Sequence, residues 1–232
     1  MYQKNLYVAV IFLSFALVAG CNDEGSETGD DGDGTNLTTT VTFAFNDFTG
    51  VSVVGPFSVS IVPGPYSIQI TVDSGLHRQL DVREEGQLLI IGFEPGSEID
   101  SQTMDVEIVM PTLESISLAG VTVATISDFS GSFLDVQLAG VATLEGQNVS
   151  YDLLTANVDA VSVLLMEDVS PLPAADVNVS AVSSATVNMM DSAVLTGSAI
   201  ATSSLSYYGS DVSIAVATDL TSSVTRLGPS RP

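Results

Sequence analysis

The chain has 232 residues, 45% of them hydrophobic, and 28 acidic residues stand against 5 basic ones, a formal net charge of −23. A surface this acidic repels phosphate backbones and anionic headgroups, which excludes nucleic-acid binding. Its single cysteine, Cys21, excludes an intrachain disulfide. The length allows one or two domains with a sizeable core.

Residues 1–20 have the pattern of a secretory signal peptide. Lys4 supplies a basic start, and the apolar run from Tyr7 to Val18 is short for a membrane span. The run ends in Leu17-Val18-Ala19-Gly20-Cys21, which resembles a bacterial lipobox. That resemblance implies cleavage before Cys21 and a lipid on this residue. We therefore expect a lipid anchor that places the protein in the bacterial cell envelope, at the outer membrane or the cell surface.

An acidic tether follows over residues 21–40, CNDEGSETGDDGDGTNLTTT. Nothing in it can be buried, and its like charges repel each other, so we predict a disordered, extended linker. The phrase DDGDG has some likeness to a calcium-binding loop. The closing bidentate glutamate of such a loop is absent, which favours the linker interpretation.

From Val41 the sequence changes to short alternating segments. The phrase FSVSIVPGPYSIQITVD contains strands separated by the turn signal Pro63-Gly64-Pro65. A buried strand over Leu88 to Phe93 and the alternating MDVEIVM, which stops before Pro111, follow. We predict an N-terminal β segment over 41–112 that covers one end of the following domain.

Past Pro111 an apolar residue that precedes a pair of small residues recurs every 20 or 21 residues. These positions are Leu118, Leu138, Val158, Val179, Ile200 and Leu220. The alternation around each one predicts a strand with one buried face, and the repeat predicts one turn of a solenoid. The prediction is an all-β, parallel β-helix-like solenoid with six rungs over 113–228, inside a head domain over 41–232. A rung of this size holds about three short strands.

Small residues follow the apolar position in each repeat. They are Gly120, Gly140, Ala160, Ala181, Thr202 and Ser222. We expect the chain to bend there with its backbone close to the interior, where only a small residue fits. The next column is expected to fill the following strand and then to turn polar: Val121, Val141, Val161, Val182, Ser203 and Ser223.

An antiparallel sandwich of hairpins explains the alternation equally well. Hairpins favour Asn-Gly or Asp-Gly at their turns, and the repeat region contains neither dipeptide. The sequence therefore favours the parallel coil.

The segment from about Phe48 to Gly228 resembles the bacterial "putative auto-transporter adhesin, head GIN domain" family. The resemblance rests on GPFSVSIVPGPYSIQI (55–70), VEIVMPTLESISLAG (106–120), the recurrent small triplets and SSLSYYGS (203–210). Family triplets are usually Gly-Ala-Gly, and here they are eroded to LAGV, DAV, SAV and ATSS. The resemblance implies a right-handed β-helix-like fold, cell-envelope lipoproteins and no established enzymatic activity.

Catalytic chemistry finds little support in the sequence. The only histidine, His77, stands in a polar loop, and one histidine with a lipidated cysteine cannot form the usual zinc sites. Paired carboxylates are the remaining option, since polysaccharide cleavage uses them. The candidates are Asp135, Asp152, Asp159, Glu167, Asp168 and Asp176. Most are interpreted as solvated faces and turns, although Asp159, Asp176 and Asp152 from neighbouring rungs could form an acidic cluster.

We therefore predict a non-enzymatic binding or adhesion module that needs no cofactor or metal. Candidate contact residues are Tyr207, Tyr208, Asp159 and Asp176; of the two tyrosines, adjacent in a strand, one should be core and one exposed. A ladder of hydroxyls is a second candidate surface for a glycan or an envelope protein: Thr122, Ser162, Ser183, Ser184, Ser203, Ser204, Ser222 and Ser223. The alternatives are a structural protein whose heads form homo-oligomers by stacking through their coil ends and, more distantly, a carboxylate-dependent polysaccharide-active enzyme.

Overall fold

The structure is a computed structural model that describes residues 38–99 and 104–231. The predicted signal peptide, Cys21 and most of the predicted tether lie outside the described residues. Eighteen strands and one short 3₁₀ turn, His77–Gln79, make up the described regular structure. The first strand begins at Thr38, three residues before the predicted start of the β segment.

The strands belong to two sheets on either side of one core. Sheet 1 contains β1 (Thr38–Phe43), β3 (Ser58–Pro63), β4 (Ser67–Asp73), β7 (Met104–Met110), β9 (Val123–Ser127), β11 (Thr143–Gln147), β13 (Val163–Asp168), β16 (Ser204–Tyr208) and β18 (Ser223–Gly228). Sheet 2 contains β2 (Gly50–Val54), β5 (Leu80–Glu85), β6 (Leu88–Phe93), β8 (Ser115–Gly120), β10 (Ser130–Gly140), β12 (Ser150–Val158), β14 (Leu172–Val179) and β17 (Ser213–Thr218). The long β15 (Ser184–Ala199) joins sheet 1 with its first half and sheet 2 with its second.

The solenoid prediction is confirmed by the pairing of the strands. Leu118 is in parallel register with Leu138, Leu138 with Val158, and Val158 with Val179. All pairs between β8 and β18 are parallel, which rules out hairpins there. From β8 to β18 the chain makes six turns, the predicted number.

The predicted register is wrong in the last two turns. Val179 pairs with Ala199, and Ala199 with Thr218, so neither Ile200 nor Leu220 belongs to the buried column. Ile200 is 44% exposed and Leu220 is fully exposed. The reason is that each of these turns is one residue shorter than the sequence spacing indicates.

Each turn places its strands in two sheets rather than on three separate faces. Two central sheet 2 strands are long: β10 has 11 residues and β12 has 9, against 5 and 6 for β11 and β13 in sheet 1. The third strand that we expected in a turn is therefore not separate; it forms the first part of a long sheet 2 strand.

The N-terminal segment does more than cover the end. Strands β2 and β3 pair in parallel with β8 and β9, and β6 and β7 pair in parallel with β2 and β3 on their other side. These strands form two further turns, β2–β3 and β6–β7. The β6–β7 turn comes later in the chain but lies farther from β8 and β9. Three antiparallel strands then complete the end: β4 on β7, β1 on β4, and β5 on β6.

Candidate interaction surfaces

A three-residue turn leads from sheet 2 to sheet 1 and repeats along the solenoid. Its first residue has a positive φ, which is 86° at Gly120, 83° at Gly140, 63° at Ala160 and 56° at Ala181. The second residue points outward, and the third points inward before the sheet 1 strand begins. Left-handed backbone costs little for glycine and most for bulky or branched side chains, so the first position of the turn is small.

Close packing between successive turns restricts the same position. A Cβ atom on Gly140 would lie 2.8 Å from the carbonyl oxygen of Gly120. The expectation that these residues lie close to the interior is wrong, since Gly120 is exposed and Ala160 half-buried. The small residues are required by the left-handed backbone and by the neighbouring turn, not by a crowded core.

Outward-pointing valines form a row along this corner of the solenoid. The valine row consists of Val121, Val141, Val161 and Val182, with exposed fractions of 60%, 50%, 54% and 66%. Backbone N–H groups of Val141, Val161 and Val182 donate to carbonyl oxygens of the preceding turn at 2.7–2.9 Å, which keeps the row in register. We expected this column to fill the next strand, and that is wrong. The turn is too tight to fold its middle side chain inward.

The inward third position carries hydroxyls in most turns. The hydroxyl column consists of Thr122, Ser162, Ser183 and Ser203, all buried, with Ala142 in the remaining turn. Thr122 donates to the carbonyl oxygen of Gly55 at 2.7 Å, Ser183 to that of Val158 at 2.8 Å, and Ser203 to that of Val179 at 3.0 Å. Each of these acceptors belongs to the adjacent turn of the solenoid. These three hydroxyls are therefore structural ties, and all four residues of the column are buried instead of forming the outward contact surface that we expected.

Asp159 and Asp176, two of the acids predicted to cluster, are not brought together. Asp176 lies in mid-strand in register with Thr155 and Thr196, whereas Asp159 lies in the turn after β12. The Asp159 carboxylate accepts the Ser180 hydroxyl at 2.6 Å and the Ala160 N–H at 2.7 Å, and these two hydrogen bonds lower its pKa. Asp159 is exposed, but its carboxylate is occupied within its own corner of the solenoid.

The two tyrosines have different environments. Tyr207 is 7% exposed and belongs to the core, so in this structure it does not offer the surface contact that we predicted for it. Tyr208 is half-buried, and the guanidinium carbon of Arg231 lies 5.2 Å from its ring centroid. Arg231 also forms ion pairs with Glu167 at 3.1 Å and Asp168 at 3.0 Å. Tyr208 is thus partly covered by the C-terminal residues.

Buried Asn188 holds the C-terminal residues in place. Its side chain accepts the backbone N–H of Arg231 at 2.9 Å and donates to the carbonyl oxygens of Val169 at 2.8 Å and Arg231 at 3.2 Å. The described residues after β18 consequently run back along the side of the solenoid toward Glu167. Sequence reasoning did not find this contact, since only the fold brings residues 188 and 231 together.

A shallow depression of about 420 Å³ lies beside the start of the sheet 2 strands. It is lined by Thr49, Gln87, Leu88, Glu114, Ser115, Phe133 and Asp135. Asp135, one of the predicted carboxylates, accepts a hydrogen bond from Gln137 at 2.8 Å. The depression is open to solvent, and its acids are Glu114 and Asp135 alone.

Over 38–99 and 104–231, no three His, Cys, Asp or Glu side chains are grouped so that they could hold a metal ion. The same ranges contain no helix long and apolar enough to cross a membrane. His77 contacts the carbonyl oxygen of Ser74 through Nδ1 at 2.5 Å.

Solved structures with the same fold come from species of Bacteroides and Parabacteroides. A "putative adhesin" of Bacteroides fragilis superposes with a TM-score of 0.68 at 15% identity, over 83% of this chain and 98% of that one. A "putative adhesin" of Parabacteroides merdae gives 0.54 at 16% identity, over 84% and 98%. A "putative lipid binding protein" of Parabacteroides distasonis gives 0.56 at 13% identity, over 84% and 98%. At these identities the likeness shows the fold alone.

No curated protein matches the sequence significantly. The family model described as "Putative auto-transporter adhesin, head GIN domain" matches residues 47–210, which extend from just before β2 to just beyond β16. This match spans well over half of the chain and agrees with the resemblance noted from its motifs. The chain therefore belongs to the head GIN domain family of auto-transporter adhesin-like proteins.

Proposed function

We propose that this protein is a lipid-anchored protein of the bacterial cell envelope whose β-solenoid head binds a partner without catalysing a reaction. The valine row carries the proposal. Four aliphatic side chains, each at least half exposed, lie about 4.8 Å apart along one corner. Contiguous apolar surface of this kind on a soluble domain commonly marks an interaction site. The adhesin description of the family supports the same function.

We further propose that the partner is an envelope protein and not a bare glycan. The valine row offers apolar area and no hydrogen-bonding side chain, and its burial releases water only against another apolar surface. Of the eight hydroxyl residues predicted to contact a glycan, the four that form the hydroxyl column are buried. Hydrogen bonds to neighbouring turns already fix the backbone of the row. Binding therefore costs little additional conformational entropy.

The test uses residues 22–232, which contain every described strand and the whole described core. The immobilised protein is exposed to an envelope extract of a producing strain, to the same extract after protease treatment, and to the polysaccharide fraction alone. We expect retention of a protein from the first extract only. Retention from the protease-treated extract or from polysaccharide would contradict a protein partner.

A substitution pair locates the binding surface. Val141→Thr with Val161→Thr keeps the branched shape and should reduce retention at least tenfold. The matched control is Val194→Thr, because Val194 is 46% exposed on sheet 2, outside the valine row. Equal retention by both variants, or a loss in the control alone, would refute the valine row as the contact surface.

The anchor is tested separately on the full chain. We expect labelled palmitate to be incorporated in a bacterial host and Cys21→Ala to abolish both labelling and membrane association. Labelling that persists in Cys21→Ala would refute Cys21 as the lipid-bearing residue. Unlabelled but secreted wild-type protein would indicate an ordinary signal peptide.

A further inference from the structure

The two ends of the solenoid are built differently. At the N-terminal end, sheet 2 finishes with β5, whose sequence LDVREE places Asp81, Arg83, Glu84 and Glu85 along the edge. Arg83 pairs with Asp81 and with Glu85. Charged side chains on an edge strand hinder pairing with another chain. The N-terminal edge of sheet 2 is therefore protected.

At the other end, the edge of sheet 2 is β17. Within the described residues β17 pairs with β15 alone, so one side of its backbone has no strand partner. Its sequence, SIAVAT, contains no charge and no proline, and its pairing shows no register irregularity. The residues that normally protect an edge are absent from this strand.

The inward side chains of β17 remain partly exposed, because no further described strand of sheet 2 covers them. Ile214 and Val216 are in register with Leu195 and Gly197, so they continue the inward face of sheet 2. Leu195 is completely buried, whereas Ile214 remains 43% exposed. Inward apolar surface is thus left uncovered in the last turn.

The last turn differs from the rest of the chain in charge. Residues 210–228 contain two acids, Asp211 and Asp219, and one base, Arg226, which amounts to −1, against −23 for the whole chain. Two copies can therefore approach each other through this end with little electrostatic repulsion. The neighbouring edge, β18, is less suited to pairing, because it carries Arg226 and a register irregularity between β18 and β16.

We propose that two copies of this chain associate through β17. The strand pairs antiparallel with β17 of the second copy about a two-fold axis perpendicular to sheet 2, so that both free edges gain backbone hydrogen bonds. A second copy is the favoured partner because an antiparallel edge pair is self-complementary and closes on itself. Head-to-tail stacking would instead bring β17 against the charged edge of β5. This proposal does not depend on the binding function proposed above.

The interface is small. Strand β17 has 6 residues, whereas a stable complex uses about 20–30 residues from each partner. The dimer is therefore weak and should form only at high protein concentration. Confinement of many copies on one surface would raise the effective concentration and favour it.

Sedimentation equilibrium of residues 22–232, from about 10 μM to 1 mM, tests the proposal. We expect a monomer–dimer equilibrium in the wild type and a monomer at all concentrations for Ala215→Lys with Ala217→Lys. Both alanines are exposed on the outer face of β17, where paired copies would bring the lysines together. The control, Thr155→Lys with Asn157→Lys, introduces two lysines at the same spacing on the outer face of interior strand β12 and should dimerise like the wild type.

Hydrogen exchange of the wild type gives a second measurement that does not rely on the folding of a variant. Amides of β17 should exchange at least threefold more slowly at high than at low protein concentration, whereas those of β1 should not change. A monomer at every concentration, or dimers without added protection in β17, would overturn the proposal. Open-ended oligomers would also overturn it, because a two-fold pair cannot grow.

Discussion

Replacing Gly140 by alanine tests the physical reason for the small residue in each turn. Gly140 has a φ of 83°, and an added Cβ would lie 2.8 Å from the carbonyl oxygen of Gly120. Left-handed backbone costs an alanine about 1–2 kcal/mol. Relieving the close approach by bending the backbone costs about 1 kcal/mol more. Alanine also lowers the conformational entropy of the unfolded chain, and this effect offsets about 0.4–1 kcal/mol of the loss in stability.

The expected net loss for Gly140→Ala is about 1–2.6 kcal/mol of unfolding free energy. For a domain of this size the midpoint of thermal unfolding should fall by about 2–10 °C. The assay is thermal unfolding followed by far-ultraviolet circular dichroism, with urea unfolding as a check on the free energy.

The matched control is the reverse change in the next turn, Ala160→Gly. Ala160 already has a φ of 63°, so glycine relieves strain there and should leave the midpoint unchanged or raise it by up to about 4 °C. The decisive result is a lower midpoint in Gly140→Ala together with no loss in Ala160→Gly. An unchanged midpoint in Gly140→Ala, or equal losses in both variants, would refute the left-handed turn as the reason for the small residues.

Two further predictions concern the turns. Thr122→Val removes the hydroxyl that bonds the carbonyl oxygens of Gly55 and Ala119, and should cost about 1–2 kcal/mol in urea unfolding. Thr125→Val, on the half-buried outer face of β9, should cost less than about 0.5 kcal/mol, and equal losses would contradict a structural role for the buried hydroxyl. Hydrogen bonds from the Ala201 N–H and the Ser222 hydroxyl hold the pKa of Asp219 well below its usual value. The stability that Asp219 contributes is therefore complete above about pH 4 and is lost only as the pH falls through the lowered pKa, so a carboxyl midpoint near 3.9 in an NMR titration would contradict these bonds.

The repeat in the sequence was sufficient to predict the solenoid and most of its register. Leu118, Leu138, Val158 and Val179 stand 20 or 21 residues apart, and a strand period of two around each leaves one way to stack them. In the last turns, Ala199 and Ile200 are both apolar residues beside small ones, so the spacing could not distinguish them. Only the strand pairing, Val179 with Ala199 and Ala199 with Thr218, identifies which residue continues the column.

The outward and inward sides of the turns could not be predicted from residue type. Valine is normally buried and serine normally exposed, yet Val161 points outward and Ser162 inward. The positive φ of Ala160 reverses the chain direction at that point, and a strand period of two does not continue through the reversal. The buried hydroxyl of Ser183 is tolerated because a carbonyl of the preceding turn accepts it, a partner that only the fold supplies.

The order in which the N-terminal turns stack could not be predicted from the sequence either. Strands β6 and β7 lie outside β2 and β3 although they follow them in the chain. No local pattern records this inversion, because it depends on contacts between segments that are distant in sequence.

Cross-linking between neighbouring turns tests the central claim most directly, which is that residues about 20 apart at one corner lie side by side. Residues 22–232 contain no cysteine, so Val141→Cys with Val161→Cys introduces the only two thiols. Adjacent turns place their Cα atoms about 4.8 Å apart, within the range of a disulfide. Mild oxidation should close this pair rapidly, whereas Val141→Cys with Val182→Cys, two turns apart, should stay reduced. A pair at 141 and 161 that resists oxidation, or one at 141 and 182 that closes equally fast, would contradict the stacked valine row and the parallel solenoid that produces it.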